Sequence, residues 1–109
     1  MQTPVQVTFR GLPVSDTLEE MCREEAEKLE RYDPRIISCR ITVARPGRHQ
    51  KGDAYDIRID LRRPGRELIV SREAVQHPTN ENPRLAVKEA FDTARRQLED
   101  HLRRQRAAG

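Results

Sequence analysis

Strict alternation of apolar and polar residues governs most of this chain, and it is interrupted twice by apolar residues at helical spacing. Val5, Val7 and Phe9 fall on one side of a first run, and Gln6, Thr8 and Arg10 on the other. Ile37, Cys39, Ile41 and Val43 alternate with Ser38, Arg40, Thr42 and Ala44 in a second. Tyr55, Ile57, Ile59 and Leu61 alternate with Asp56, Arg58, Asp60 and Arg62 in a third. A period of two over five or more residues describes a strand with one buried face. A fourth strand spans about Arg66 to Arg72, after a turn at Arg63-Pro64-Gly65. Its facing stays ambiguous, because Leu68, Ile69 and Val70 are consecutive.

Between the first two strands, Leu18, Cys22, Ala26 and Leu29 form an apolar stripe of period 3.6, flanked by Met21 and Tyr32. Ser15 or Asp16 starts this helix, with Asp16 and Glu19 at capping-box spacing, and Asp33-Pro34 stops it. A second helix opens with Asn82 as cap and Pro83 in its first turn. Ala86, Val87, Ala90, Phe91, Ala94, Leu98 and Leu102 keep one of its faces apolar to about residue 104, and residues 107–109 are expected to fray.

The order β-α-β-β-β-α predicts an α+β fold of two layers: a four-stranded sheet with both helices on one face. Strands 2 to 4 form an antiparallel meander. Strand 1 lies parallel to strand 2, with the first helix as crossover. The 109 residues suit one domain, expected over 1–106.

Composition narrows function mainly by exclusion. No apolar run approaches the roughly 18–20 residues of a membrane span. The first ten residues read as a strand, not a signal peptide, and two widely spaced cysteines make neither a disulfide framework nor a zinc site. These features predict a reducing, cytoplasmic setting. His49, His77 and His101 lack ligand spacing and read as surface histidines, a metal or general-base role being the alternative. Cys22 and Cys39 both fall on core faces and read as small buried hydrophobes, with a redox pair as the alternative. Asp56 and Asp60, beside Arg58 and Arg62, read as partners in cross-strand charge pairs. No catalytic group, cofactor, metal or small-molecule substrate is expected.

Charge is segregated. Residues 15–33 hold 8 acidic and 3 basic side chains, 34–72 hold 4 and 10, and 81–106 hold 5 and 7. The net charge is +3, and most of the 21 cations are arginine, whose planar fork matches phosphate. With aromatics at 4% and at least three of the four on apolar stripes, there is no surface on which to stack bases. Contact with RNA would be to backbone and shape.

Two segments carry a family resemblance. The first helix ends Glu27-Lys28-Leu29-Glu30-Arg31-Tyr32, and the second carries Ala86-Val87 followed by Phe91-Asp92-Thr93-Ala94-Arg95-Arg96-Gln97-Leu98-Glu99. In these segments and in element order the chain resembles the ribosome hibernation-promoting factor and ribosome-associated inhibitor family over nearly its whole length. The resemblance implies a bacterial stress-response protein, monomeric as this short chain. It would bind the rRNA of the small ribosomal subunit in the decoding channel and idle the ribosome by covering messenger and transfer RNA positions. By position it implies RNA contacts at Lys28, Arg31 and Arg96, to which this sequence adds Arg95, Arg103 and Arg104 on the second helix and Arg45, Arg48 and Lys51 in a basic loop. Departures are Asn82 and Arg84 where the family often has Asp-x-Tyr, Asp100 at a basic position, and a longer 75–82 loop. A general double-stranded RNA-binding module and a protein-interaction adaptor remain as alternatives.

Overall fold

The computed structural model describes residues 1–45, 55–73 and 82–108. The elements are β1 (Gln6–Arg10), α1 (Asp16–Tyr32), β2 (Ser38–Ala44), β3 (Asp56–Arg63), β4 (Arg66–Arg72) and α2 (Pro83–Ala108). The strands form one sheet in the order β1-β2-β3-β4. β1 pairs parallel to β2, and the other two pairings are antiparallel.

One apolar face per strand puts both helices on the same side. Cys39, Ile41 and Val43 of β2, Ile57, Ile59 and Leu61 of β3, and Leu68 and Val70 of β4 share one core with Cys22, Ala26 and Leu29 of α1 and Ala86, Val87, Ala90, Phe91, Ala94 and Leu98 of α2. Pairing resolves the ambiguity of β4. Leu61 opposes Leu68 and Ile59 opposes Val70, so these two point inward and Ile69, 44% exposed, points out. Ile36 is also buried, just before β2 begins.

Local chemistry sets the element ends, with three departures from expectation. The α1 cap is Ser15, whose hydroxyl accepts from Leu18 N–H at 3.3 Å, so Asp16 and Glu19 do not form the capping box and lie in the first turn as acids that complement the helix dipole. Asn82 caps α2 as expected, its Oδ1 accepting from Arg84 and Leu85 N–H. The expected frayed tail is helical through Ala108, because Ala107 and Ala108 are the strongest helix formers and nothing before Gly109 breaks the run. Arg63 belongs to β3 and not to the turn. The hairpin is Pro64-Gly65 alone, Gly65 at φ 73°, as a type II turn requires.

Gly11 follows β1 at φ 76°, and a Cβ there would stand 2.8 Å from the Arg45 carbonyl oxygen. Arg45 N–H donates to Arg10 O at 2.8 Å, so β1 and β2 end side by side and α1 starts at the same sheet end. α2 starts at that end too, after β4. The helices are thus parallel to each other. Lys88 meets Glu25 at 3.6 Å and Arg95 meets the Tyr32 ring at 5.0 Å, one pair about two turns beyond the other on each helix. Both helix C-termini lie at the opposite end, with the β3–β4 hairpin.

Candidate nucleic-acid interface

The cations expected to bind RNA do not form a single row. Lys28 and Arg31 lie exposed on the last turns of α1. Lys28 Nζ donates to Glu25 Oε2 at 2.9 Å, and Lys88 reaches the other oxygen of the same carboxylate. Glu25 is buried at the helix seam, so it anchors two lysines and neutralises part of their charge. Arg31 makes no ion pair among the described residues.

Arg95 and Arg96 diverge, as neighbours on a helix do. Arg95 points to α1, stacks over Tyr32 and pairs with Glu99 at 3.1 Å. Tyr32 is the one exposed aromatic among the described residues, and this guanidinium lies over one face of its ring. Arg96 points to the β4 flank, where it donates to Thr93 Oγ1 at 3.2 Å and, with Arg72, Glu89 and Asp92, lines a concavity of about 230 Å³. Arg103 pairs with Asp100 at 3.3 Å. Arg104 and Arg106 are exposed and make no ion pair among the described residues. Arg45 lies at the other end of the sheet from Arg103 and Arg104, so Arg45 itself stands apart from the helix-end cations. Arg48 and Lys51 fall outside the described residues, as do His49 and His77.

Sequence reasoning missed the polar cluster at the helix C-terminal end. Arg63 Nε donates to Asp33 Oδ2 at 2.7 Å, and Arg63 Nη1 donates to Gln105 Oε1 at 3.3 Å. Asp33 also accepts from Arg35 N–H at 3.1 Å. Burial pushes the Asp33 carboxyl pKa upward, but the bonds from Arg63 and Arg35 and their charges prevail and hold it below the usual carboxylate value. His101 is half-buried, not a surface histidine, and its Nε2 is enclosed without a hydrogen-bond partner among the described residues. Burial first, then the charges of Arg63, Arg66 and Arg104, lower its pKa, against an upward pull from Asp33. The signal for this cluster was Arg63 itself. It stands in the inward phase of Ile57, Ile59 and Leu61, where a cation requires a buried counter-charge.

On the outer sheet face Arg58 pairs with Asp60 of its own strand at 3.0 Å, where cross-strand pairing was expected. Cys22 and Cys39 are buried and free, and burial is the chief cause that pushes each thiol up to about 12. Among the described residues no cluster of three or more His, Cys, Asp or Glu is placed to hold a metal ion, and no helix is long and apolar enough to cross a membrane.

Residues 5–106 match the family described as Sigma 54 modulation protein / S30EA ribosomal protein. The chain belongs to this family. Two solved structures resemble it in fold. A ribosomal subunit interface protein from Coxiella burnetii superposes with a TM-score of 0.71 at 14% identity, over 89% of this chain and 94% of that one. The N-terminal domain of Protein Y from Thermus thermophilus superposes with a TM-score of 0.68 at 16% identity, over 88% and 94%. At such identities the likeness concerns the fold. No curated protein matches the chain by sequence. As an S30EA family member the chain is a ribosome-associated protein, and the expected fold class and family are both borne out.

Proposed function

We propose that this protein is a cytoplasmic ribosome hibernation factor that seats on the small-subunit rRNA in the decoding channel and excludes messenger and transfer RNA without chemistry of its own. The observation that carries this reading is the match to the S30EA family over residues 5–106, joined to arginines that stand exposed and unneutralised toward the helix C-termini. Arg31, Arg104 and Arg106 are exposed and make no ion pair among the described residues, and Arg96 donates only to a neutral hydroxyl. Such side chains meet phosphate without first breaking an internal bridge. With one face of Tyr32, the one exposed aromatic among the described residues, already occupied by Arg95, recognition rests on backbone and shape. Lys28, Arg95 and Arg103, each already bridged to a carboxylate, contribute less. A competition assay tests occlusion. Saturating protein should displace deacylated tRNA and a short messenger from purified small subunits. Simultaneous occupancy of the subunit by the protein and both RNAs would refute the decoding-channel placement.

A further inference from the structure

The inward row of α2 changes character near its end. Val87, Phe91, Ala94, Leu98, His101 and Gln105 follow one another by four, three, four, three and four residues, so they share one side of the helix. Leu98 is the last buried residue of α2. Beyond it the helix keeps touching the body. Leu102 packs against the core, and Gln105 Oε1 accepts from the buried Arg63 at 3.3 Å. His101 turns the same way, half-buried, with its Nε2 enclosed and unbonded among the described residues.

That enclosed nitrogen favours a neutral ring. In neutral imidazole Nε2 is free to be the acceptor, and an acceptor without a partner is a modest loss. An imidazolium carries N–H on both nitrogens. Nε2 must then donate where nothing accepts, and an unmet charged donor costs more. The charged groups facing His101 are Arg63 of β3, Arg66 of β4, Arg104 of its own helix and Asp33 at the end of α1. The one carboxylate among them is already engaged. Its Oδ2 accepts from Arg63 at 2.7 Å and its Oδ1 from Arg35 N–H at 3.1 Å. Burial first, then the three arginines, hold the ring below the ordinary histidine value against the pull of Asp33.

We infer that His101 is a proton-operated latch: it holds residues 101–108 of α2 against the β3–β4 hairpin end while its ring is neutral, and releases them when the ring takes a proton. Release is local. Residues past Leu98 bury little, and a helix end opens at far lower cost than a core does. Undocking gives the imidazolium to water and takes Gln105 off Arg63, leaving the Arg63–Asp33 pair intact. The sign follows from the lowered value of the docked ring. Docking is at full strength above the ordinary histidine value of roughly 6.5 and weakens as pH falls below it. The released segment carries Arg103, Arg104 and Arg106, so acid turns these cations from a fixed surface into a loose tail. That consequence for subunit binding rests on the ribosomal reading above; the latch itself needs no ribosome.

The test follows amide hydrogen exchange in the free chain at about pH 7.5 and about pH 5.5, a window above the titration of Asp33, with rates corrected for the intrinsic effect of pH. In the parent, protection of residues 101–108 should fall by at least about threefold at the lower pH, while that of residues 86–98 holds. H101F and H101Q fill the same place without titrating and should show no such fall. An equal fall in the parent and both variants assigns the response to another group and overturns the latch. So does a parent equally protected at both values. The His101 ring resonances supply a second readout in the parent alone, and a titration midpoint at or above roughly 6.5 overturns the inference. None of these outcomes involves subunits, so a chain that fails to bind the ribosome removes the ribosomal reading and leaves the latch to stand or fall by its own result.

Discussion

Arg63 and Asp33, thirty residues apart, form an ion pair with side chains only 1% and 5% exposed. It fastens the end of α1 to the end of β3, and Gln105 brings α2 to the same point. Removing one member strands the other charge in the interior. Asp33→Ala should therefore cost about 3–5 kcal/mol, the usual penalty for half a buried pair. Because the folded carboxyl pKa is depressed, its stabilising contribution is complete above the unfolded value of roughly 4 and is lost as pH falls through the folded value. Urea denaturation from neutral to acidic pH checks this. The parent chain should lose stability below about pH 4, and Asp33→Asn, destabilised throughout, should lose less over the same interval.

Much of the fold was legible because a sheet buried on one face writes its register into a period of two. Ile57, Ile59 and Leu61 identified β3 without any long-range information. Arg63 continues that phase, yet beside Pro64-Gly65 a charged residue reads as part of the turn. Its partner Asp33 reads equally well as a helix stop. Each has an adequate local explanation, and only the tertiary structure shows that they meet. The candidate interface was legible as composition and helix spacing. Which cations are spent was not, since Glu25, Glu99 and Asp100 neutralise their partners through side-chain geometry that spacing alone leaves open. The direction of the chain decides the rest. β2 carries Arg45 to the sheet end that α1 leaves behind, which separates Arg45 from the helix C-termini.

The two thiols should be inert in the native protein. Burial raises both to about 12, so almost no thiolate exists at neutral pH. Reaction with a thiol-specific reagent should be negligible when folded and rapid in urea. Cys39→Ser should cost on the order of 1–3 kcal/mol through a buried hydroxyl and leave subunit affinity per folded molecule unchanged. Rapid native labelling, or lost affinity with folding intact, would point to a working thiol.

Charge changes on α1 should separate a spent cation from a free one. Lys28→Gln removes a side chain already bridged to Glu25. It should alter stability by less than about 1 kcal/mol and subunit affinity only slightly. Arg31→Glu should weaken subunit binding markedly while thermal stability changes little. Arg96→Glu should behave like Arg31→Glu, since Arg96 holds no carboxylate among the described residues. Equal effects of Lys28→Gln and Arg31→Glu would show that the Glu25 bridge opens on binding.

The most direct test is the salt dependence of binding to purified small subunits, followed by sedimentation of tagged protein. If about four to six phosphates are contacted, the logarithm of affinity should fall against the logarithm of salt with a slope between about −3 and −5. Arg31→Glu should make that slope shallower by about one. Binding that stays flat from low to moderately high salt, or no co-sedimentation at low salt, would contradict a protein held on ribosomal RNA by its arginines.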